Sequence, residues 1–345
     1  MTRLGALCEL TPAHFAMVMA TGIVSLAAQL FGMPGVSRAL FVLNVLVYVA
    51  LCALTALRLV LEPRAFLAGI TDHARGPVFF TAVAGTSVLA SQFAVLRADY
   101  RTAAALGVLA LVLWVVLTYA IFAGLTIAPS KPPLDEGIGG GWLLAVVATQ
   151  SIAVVSALLA PHSEISAIVL DFLALTMWLA AGMLYIWIMA LIFYRYTFFP
   201  FAPADLTPPY WINMGAMAIS TLAGALLIRD AAQAPFLASL EPFLKGFTVF
   251  YWASGSWWIP LLVVLAFWRY VWRRFPLKYD PLYWGAVFPL GMYAAATEEM
   301  IGTMHLEFLQ WLPQLFAYLA LIAWAMAFAG FALDVLRRSR AAVRA

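Results

Sequence analysis

The sequence predicts an all-α integral membrane protein: ten transmembrane helices arranged as five helical hairpins. Three observations carry that prediction. The 345 residues are 65% hydrophobic and only 10% charged, whereas a soluble domain carries about 25% charge. Mean hydropathy is +0.97. Apolar stretches of about 20 residues recur, each long enough as helix to cross a hydrocarbon core of about 30 Å.

The expected spans are 12–31, 36–61, 78–96, 101–127, 141–160, 165–198, 211–229, 243–274, 283–302 and 310–337, all within one membrane domain, 1–345. Segments rich in Pro, Gly or charge punctuate them. GMPG turns the first span into the second. LEPRAFLAGITDHARGP precedes the third, APSKPPLDEGIGGG the fifth, FPFAPADLTPPY the seventh and RRFPLKYDP the ninth. The sixth span is too long for a simple crossing and is expected to tilt or to project from the membrane.

Lys and Arg orient the chain. With ten spans both termini share one side. That side holds Arg3, Arg58, Arg64, Arg75, Lys131, Arg195, Arg269, Arg273, Arg274, Lys278, Arg337, Arg338, Arg340 and Arg344. The other holds Arg38, Arg97, Arg101, Arg229 and Lys245. The split of 14 to 5 puts both termini in the cytoplasm of an inner (plasma) membrane protein. The opening MTRLGALCELTPAHF lacks the regions of a cleaved signal peptide. The net charge of +3 reflects this topology. No basic block interleaves with aromatics, so nucleic acid is not expected as a partner. Cys8 and Cys52 form no CxxC motif and suggest no disulfide framework.

A weak internal repeat runs through the odd spans. Each reaches a small-residue cluster near mid-span: MATGIVS, VAGTSVL, VATQSIA, MAISTLA and FPLGMYA. Gly, Ala, Ser and Thr make up 42 of 97 residues in the odd spans, taking the seventh as 211–228, and 41 of 144 in the even ones, taking the eighth and tenth as 243–272 and 310–336. Small residues let helices approach closely and leave backbone accessible. Two readings follow. Either five odd helices form an inner ring around a pore, inside an outer ring of five bulkier even helices, or the small residues merely pack a closed bundle.

Four segments together resemble the tellurite-resistance/C4-dicarboxylate transporter family. They are FAMVMATGIVS (15–25), ITDHARGPVFF (70–80), GGGWLLAVVATQSIAVVSALLA (139–160) and YWGAVFPLGMYAAAT (283–297). The resemblance implies five inner helices lining one pore per protomer, a homotrimer and passive movement of small anions. It also implies that a phenylalanine of the ninth helix plugs the pore. Here that residue is Phe288, followed by Pro289 as in the plant members. One departure stands out. Family members often kink several inner helices at proline, whereas here only the ninth span, among the five odd ones, has a mid-span Pro. The others offer Gly22, Gly85 and Ser/Thr clusters.

Each candidate site has a functional and a structural reading. Phe288 is a gate or a core aromatic. Pro289, between Gly285 and Gly291, leaves a carbonyl without its helical partner, which a membrane tolerates where protein or a water-filled cavity covers it. Thr21, Gly22, Gly85, Thr86, Ser87, Thr149, Gln150, Ser151, Ser220, Thr221 and Gly291 are the candidate pore lining. Hydroxyls, the Gln150 amide and backbone N–H groups donate to an anion without fixed charge, or they bond helix to helix. No Lys or Arg lies near mid-span in an odd helix, so no tightly binding anion site is expected. His73 and Arg75 are candidates for an inner vestibule that gathers anions.

Arg229, Glu298 and Glu299 lie towards the outer ends, where ionisable groups are functional candidates or simply snorkel. Glu299 is 11 residues after Phe288, a rotation of about 1,100° that returns to within about 20° of the same face. Arg229 and Glu299 are assigned to the outer vestibule.

These readings bound the function. His14 and His73 fall on one side, His162 and His305 on the other, so no metal site is expected. No HExxH or GxxxxGK[ST] motif occurs. The expectation is a transporter that is not an enzyme and needs no cofactor, moving small anions of the C4-dicarboxylate, chloride/nitrate/sulfite or tellurite class, passively or linked to protons. A membrane sensor, scaffold or enzyme is the alternative. Membrane lipid is the other expected partner.

Overall fold

The computed structural model describes residues 12–163 and 166–344. Among them ten long helices form, each close to an expected span: α1 (Phe15–Leu30), α2 (Pro34–Leu61), α3 (Phe80–Arg97), α4 (Tyr100–Ile127), α5 (Leu144–Leu159), α6 (Ala167–Phe198), α7 (Ile212–Asp230), α8 (Glu241–Phe267), α9 (Trp284–Met304) and α10 (Trp311–Arg344). Cys8 lies outside the described residues, and Cys52 is a free thiol.

Eight of these helices are long and apolar enough to cross a membrane. The exceptions are α1 and α9. Helix α1 has only 16 residues, and α9 carries Glu298, Glu299 and an internal Pro289. Both are covered by protein. Thirteen of the 16 residues of α1 and fourteen of the 21 of α9 are buried. A helix whose neighbours are other helices has less need of an apolar surface than one facing lipid.

The odd helices begin differently from the even ones. Each runs on directly from a 3₁₀ turn: Pro12–His14, Gly76–Phe79, Gly140–Leu143, Pro208–Trp211 and Pro281–Tyr283; the turn before α10, Glu307–Leu309, is set off from it by Gln310. Proline stands in the first two positions of three of these turns that follow a described cap, where its missing N–H costs nothing. The third turn uses glycine instead. A Cβ on Gly140 would sit 2.5 Å from the Pro209 backbone, so only glycine fits. The five turns touch one another in a closed cycle. Arg195, near the end of α6, braces this collar by donating to the Ile138 carbonyl at 2.8 Å and to the Tyr210 hydroxyl.

Packing follows the same order. Each odd helix pairs with the even helix after it. In addition α1 packs on α3, α3 on α5, α5 on α7, α7 on α9, and α9 back on α1. Burial separates the two sets. In the apolar stretches spanning α3, α5 and α7, 78, 94 and 89% of residues are buried; the values for α2, α4, α6, α8 and α10 are 17, 11, 33, 22 and 11%. The even helices keep large apolar side chains such as Val116, Trp187 and Ile322 exposed, as lipid contact requires.

Aromatic groups tie the sets together. Tyr48 of α2 shares a hydrogen bond with Thr86 of α3 at 3.0 Å. Trp114 of α4 donates to Thr149 of α5 at 2.8 Å. Trp178 of α6 donates to the Ser220 carbonyl of α7 at 2.8 Å, and Trp252 of α8 to Thr297 of α9 at 3.1 Å. Trp324 of α10 donates to Thr21 of α1 at 3.0 Å. Every even helix thus reaches the odd helix of the next hairpin, and the last reaches the first.

Candidate functional site

Two cavities lie between the odd helices. The larger, of about 220 Å³, takes residues from all five. Helix α1 supplies Ile23, Leu26 and Leu30; α3 supplies Ser87, Val88, Ser91 and Val95; α5 supplies Ser151, Val154 and Leu158. Helix α7 adds Ile219, Leu222, Leu226 and Arg229, and α9 adds Met292, Ala295 and Glu299. Each set recurs every three or four residues, as one face of an α-helix does.

The smaller cavity, of about 20 Å³, lies towards the helix starts. It too draws on all five odd helices and their turns, through Met19, Thr81, Leu144, Ile212 and Phe288 among others. Phe288 is 1% exposed. It faces the smaller cavity, and Met292, one turn on, faces the larger. The packed layer between them is about one helical turn deep on α1 and α9, or about 6 Å at 1.5 Å per residue. Phe288 and Glu299 therefore share the inward face of α9, as their spacing predicts.

Pro289 does not interrupt α9, which is continuous over Trp284–Met304. Its ring packs against Gly215 of α7: a Cβ there would lie 2.7 Å from Pro289 Cγ. Gly285 has ordinary clearance, with Pro209 Cα 3.7 Å from the position of its missing Cβ.

The candidate lining residues divide sharply. Ser87 and Ser151 line the larger cavity. The hydroxyl of Ser151 donates to the Ala148 carbonyl at 2.7 Å. That of Ser87 is buried and has no hydrogen-bond partner among the described residues. Thr21, Thr86 and Thr149 bond to even helices as described above. The Gln150 amide donates to Ser220 at 2.9 Å and to the Trp178 carbonyl at 3.2 Å. Thr221 donates to its own helix at Met217.

The glycines serve close packing. A Cβ on Gly22 would lie 2.5 Å from Val88 Cγ1, one on Gly85 3.3 Å from the Phe15 carbonyl, and one on Gly291 3.1 Å from Ile23 Cγ2. For these nine residues the geometry fits the packing reading, and none of them lines either cavity. Ser91, which the cluster pattern passed over, does line the larger one. It stands four residues after Ser87 on the same face, a spacing that could have found it.

The residues expected at an outer vestibule, Arg229 and Glu299, meet at one end of the larger cavity. Arg229 Nη1 lies 3.5 Å from Glu299 Oε1, and its Nε 3.1 Å from Asp230 Oδ1. Glu298 points elsewhere and accepts from Gln310 Nε2 at 2.8 Å. At the other end His73 is half-buried with its ring centroid 6.4 Å from that of Trp142, and Arg75 is exposed. Neither lines the smaller cavity. His162 stacks on Tyr100 and His305 lies 3.8 Å from Glu307. Among the described residues no three His, Cys, Asp or Glu side chains converge as metal ligands.

Comparison with known proteins gives the lineage. The family model described as voltage-dependent anion channel matches residues 9–332. An uncharacterized membrane protein of Mycobacterium tuberculosis is 39% identical over 145 residues, 42% of this chain and 73% of its own length. Two uncharacterized transporters of Methanocaldococcus jannaschii align more widely. One is 25% identical over 82% of each chain, the other 24% identical over 94% of this chain and 93% of its own. With a single family model running through α1 to α10, the chain belongs to the voltage-dependent anion channel family, the tellurite-resistance/C4-dicarboxylate transporters that its segments resemble.

Proposed function

We propose that the protein moves small anions across the plasma membrane, along the axis between its five odd helices. All ten helices cross the bilayer as five hairpins in two concentric rings, with both termini in the cytoplasm, and the protomers assemble as trimers. The observation that carries this reading is the line of two cavities, each drawing on all five odd helices, with Phe288 between them. Phe288 is the gate. A stiff apolar ring in a passage this narrow excludes hydrated ions, and hydrophobic constrictions gate by dewetting.

Three further features agree. The path carries no cation at mid-depth, so an anion is not held tightly. Ser87 offers one unused hydroxyl donor inside the larger cavity. Arg229 stands at the outer mouth, where its charge is offset by Glu299 and Asp230. Such a path suits passive or proton-linked flux of chloride, nitrate, sulfite, C4-dicarboxylate or tellurite better than tight binding. The family is one of anion channels, and two relatives bear the name transporter.

The test is flux through purified protein in liposomes across that panel of anions, with and without a pH gradient. Flux of at least one anion above that of protein-free liposomes is expected. Its absence for every anion, in both the parent and Phe288→Ala, would overturn the reading.

A further inference from the structure

A third cavity, of about 400 Å³, lies outside the odd helices. It is a groove on the outer face of α9. Ala286, Val287 and Leu290 form its floor, and Ala323, Met326 and Ala327 of α10 one wall. At the end nearer the helix starts it is closed by Lys278, Tyr279 and Tyr283. The groove is apolar along its length and cationic at that end.

A second, independent observation falls beside it. The turn that continues from α8, Trp268–Trp272, is a π-helix. Arg269 within it is 6% exposed. Its guanidinium carbon lies 4.2 Å from the Phe275 ring centroid and 5.1 Å from that of Tyr270. Its Nε and Nη1 have no hydrogen-bond partner among the described residues. Tyr270 in turn shares a 2.9 Å hydrogen bond with Tyr283 on the groove wall, and the charge of Arg269 acts on that phenol. A buried cation with idle donors is costly, and an anionic group is what would relieve it.

Acidic groups near the groove do not supply that anion. The Asp280 carboxylate accepts from the Leu282 N–H at 2.8 Å, and Asp334 is paired with Arg338 at 2.8 Å. Lys278 lines that end and is exposed, as are Arg273 and Arg274 just before it in sequence.

We infer that this groove holds an anionic phospholipid. One acyl chain lies between α9 and α10, and the phosphate is bound by Lys278 at the end of the groove, with the buried charge of Arg269 behind Tyr270 and Tyr283 adding to the attraction. Charge complementarity selects this occupant: the site is cationic only where a headgroup would lie and apolar where a chain would. The leaflet, the cytoplasmic one, rests on the orientation proposed above. The binding itself does not, because it is read without transport.

Native mass spectrometry of the delipidated full chain tests it. The lipids added are phosphatidylglycerol and phosphatidylcholine with identical acyl chains. The parent is expected to retain phosphatidylglycerol preferentially. Lys278→Gln, at an exposed position, should reduce that preference about fivefold, the value of one basic residue near an anionic surface. Arg269→Gln, which removes the charge behind the tyrosines, should reduce it by less. Ala327→Phe, which fills the groove, should lower retention of both lipids. Equal retention of both lipids by the parent would overturn the inference, as would a preference unchanged in Lys278→Gln. Displacement of phosphatidylglycerol by inorganic phosphate would reassign the site to soluble anions and overturn it too.

Discussion

Arg229 and Glu299 face each other across the outer mouth of the central cavity, Nη1 to Oε1 at 3.5 Å. Both are part-exposed, at 42 and 30%, so the pair adds little to stability. Its effect is on the field that an arriving anion meets. Glu299→Gln should raise anion influx from the outer side by up to about fivefold at low salt, a unit charge at such a mouth being worth about 1 kcal/mol. Arg229→Gln should lower it. Both changes should shrink as ionic strength rises. Flux in liposomes at two salt concentrations checks this, and salt-independent effects of equal size would argue for a structural role instead.

Phe288→Ala should raise basal anion conductance, and Phe288→Leu should raise it less, since leucine keeps an apolar plug of smaller volume. Removing a buried phenylalanine costs about 3–5 kcal/mol of stability, so currents must be compared at matched surface amounts. A Phe288→Ala variant that assembles normally yet conducts no better than the parent would remove the gate assignment.

Pro289 gives a different readout through its neighbours. Gly215→Ala pushes a methyl to within 2.7 Å of the proline ring, and overpacking of this kind costs about 1–3 kcal/mol. Gly285→Ala meets nothing closer than 3.7 Å and should leave thermal stability unchanged. The expected result is a lowered melting temperature in detergent for the first and not the second. Similar behaviour of the two would mean that α7 and α9 do not lock at the proline.

The hydroxyls separate packing from transport. Thr149→Val removes the acceptor of Trp114 and should cost about 0.6–2 kcal/mol without reordering anion preference. Ser87→Ala removes a buried hydroxyl that has no partner, so it should leave stability unchanged or slightly raised while lowering flux. Paired melting and flux measurements decide between them. Lowered stability with unchanged flux in Ser87→Ala would show that its hydroxyl serves packing.

Helix positions were readable because eight of the ten helices are apolar over a full membrane thickness and all are punctuated by Pro, Gly or charge. The inward faces were not. The odd helices are apolar nearly all round, so no periodicity singles out the face that meets the axis. Ile23 and Met292 line the large cavity yet look in sequence like any packing residue. The Ser/Thr clusters drew attention instead, and Thr21, Thr86 and Thr149 among them bond to even helices. Those bonds join residues far apart in the chain, such as Tyr48 with Thr86, and spacing within one helix carries no trace of them. Phe288 and Glu299 were the exception. Their 11-residue separation returns to one face, and α9 runs through Pro289 without losing that register.

The packing of α9 against α1, together with the bond from Trp324 to Thr21 across 303 residues, has a kinetic consequence. As the chain is made, α1, α3, α5 and α7 are present before the element that completes their cycle. Until the final hairpin arrives, the inward face of α1 lacks its last partner, and contacts of such sequence separation form slowly. The hairpin of α9 and α10 acts as the latch of assembly. The helix that carries Phe288 is also the one that closes the cycle of odd helices, so before it arrives the axis between them is not yet enclosed.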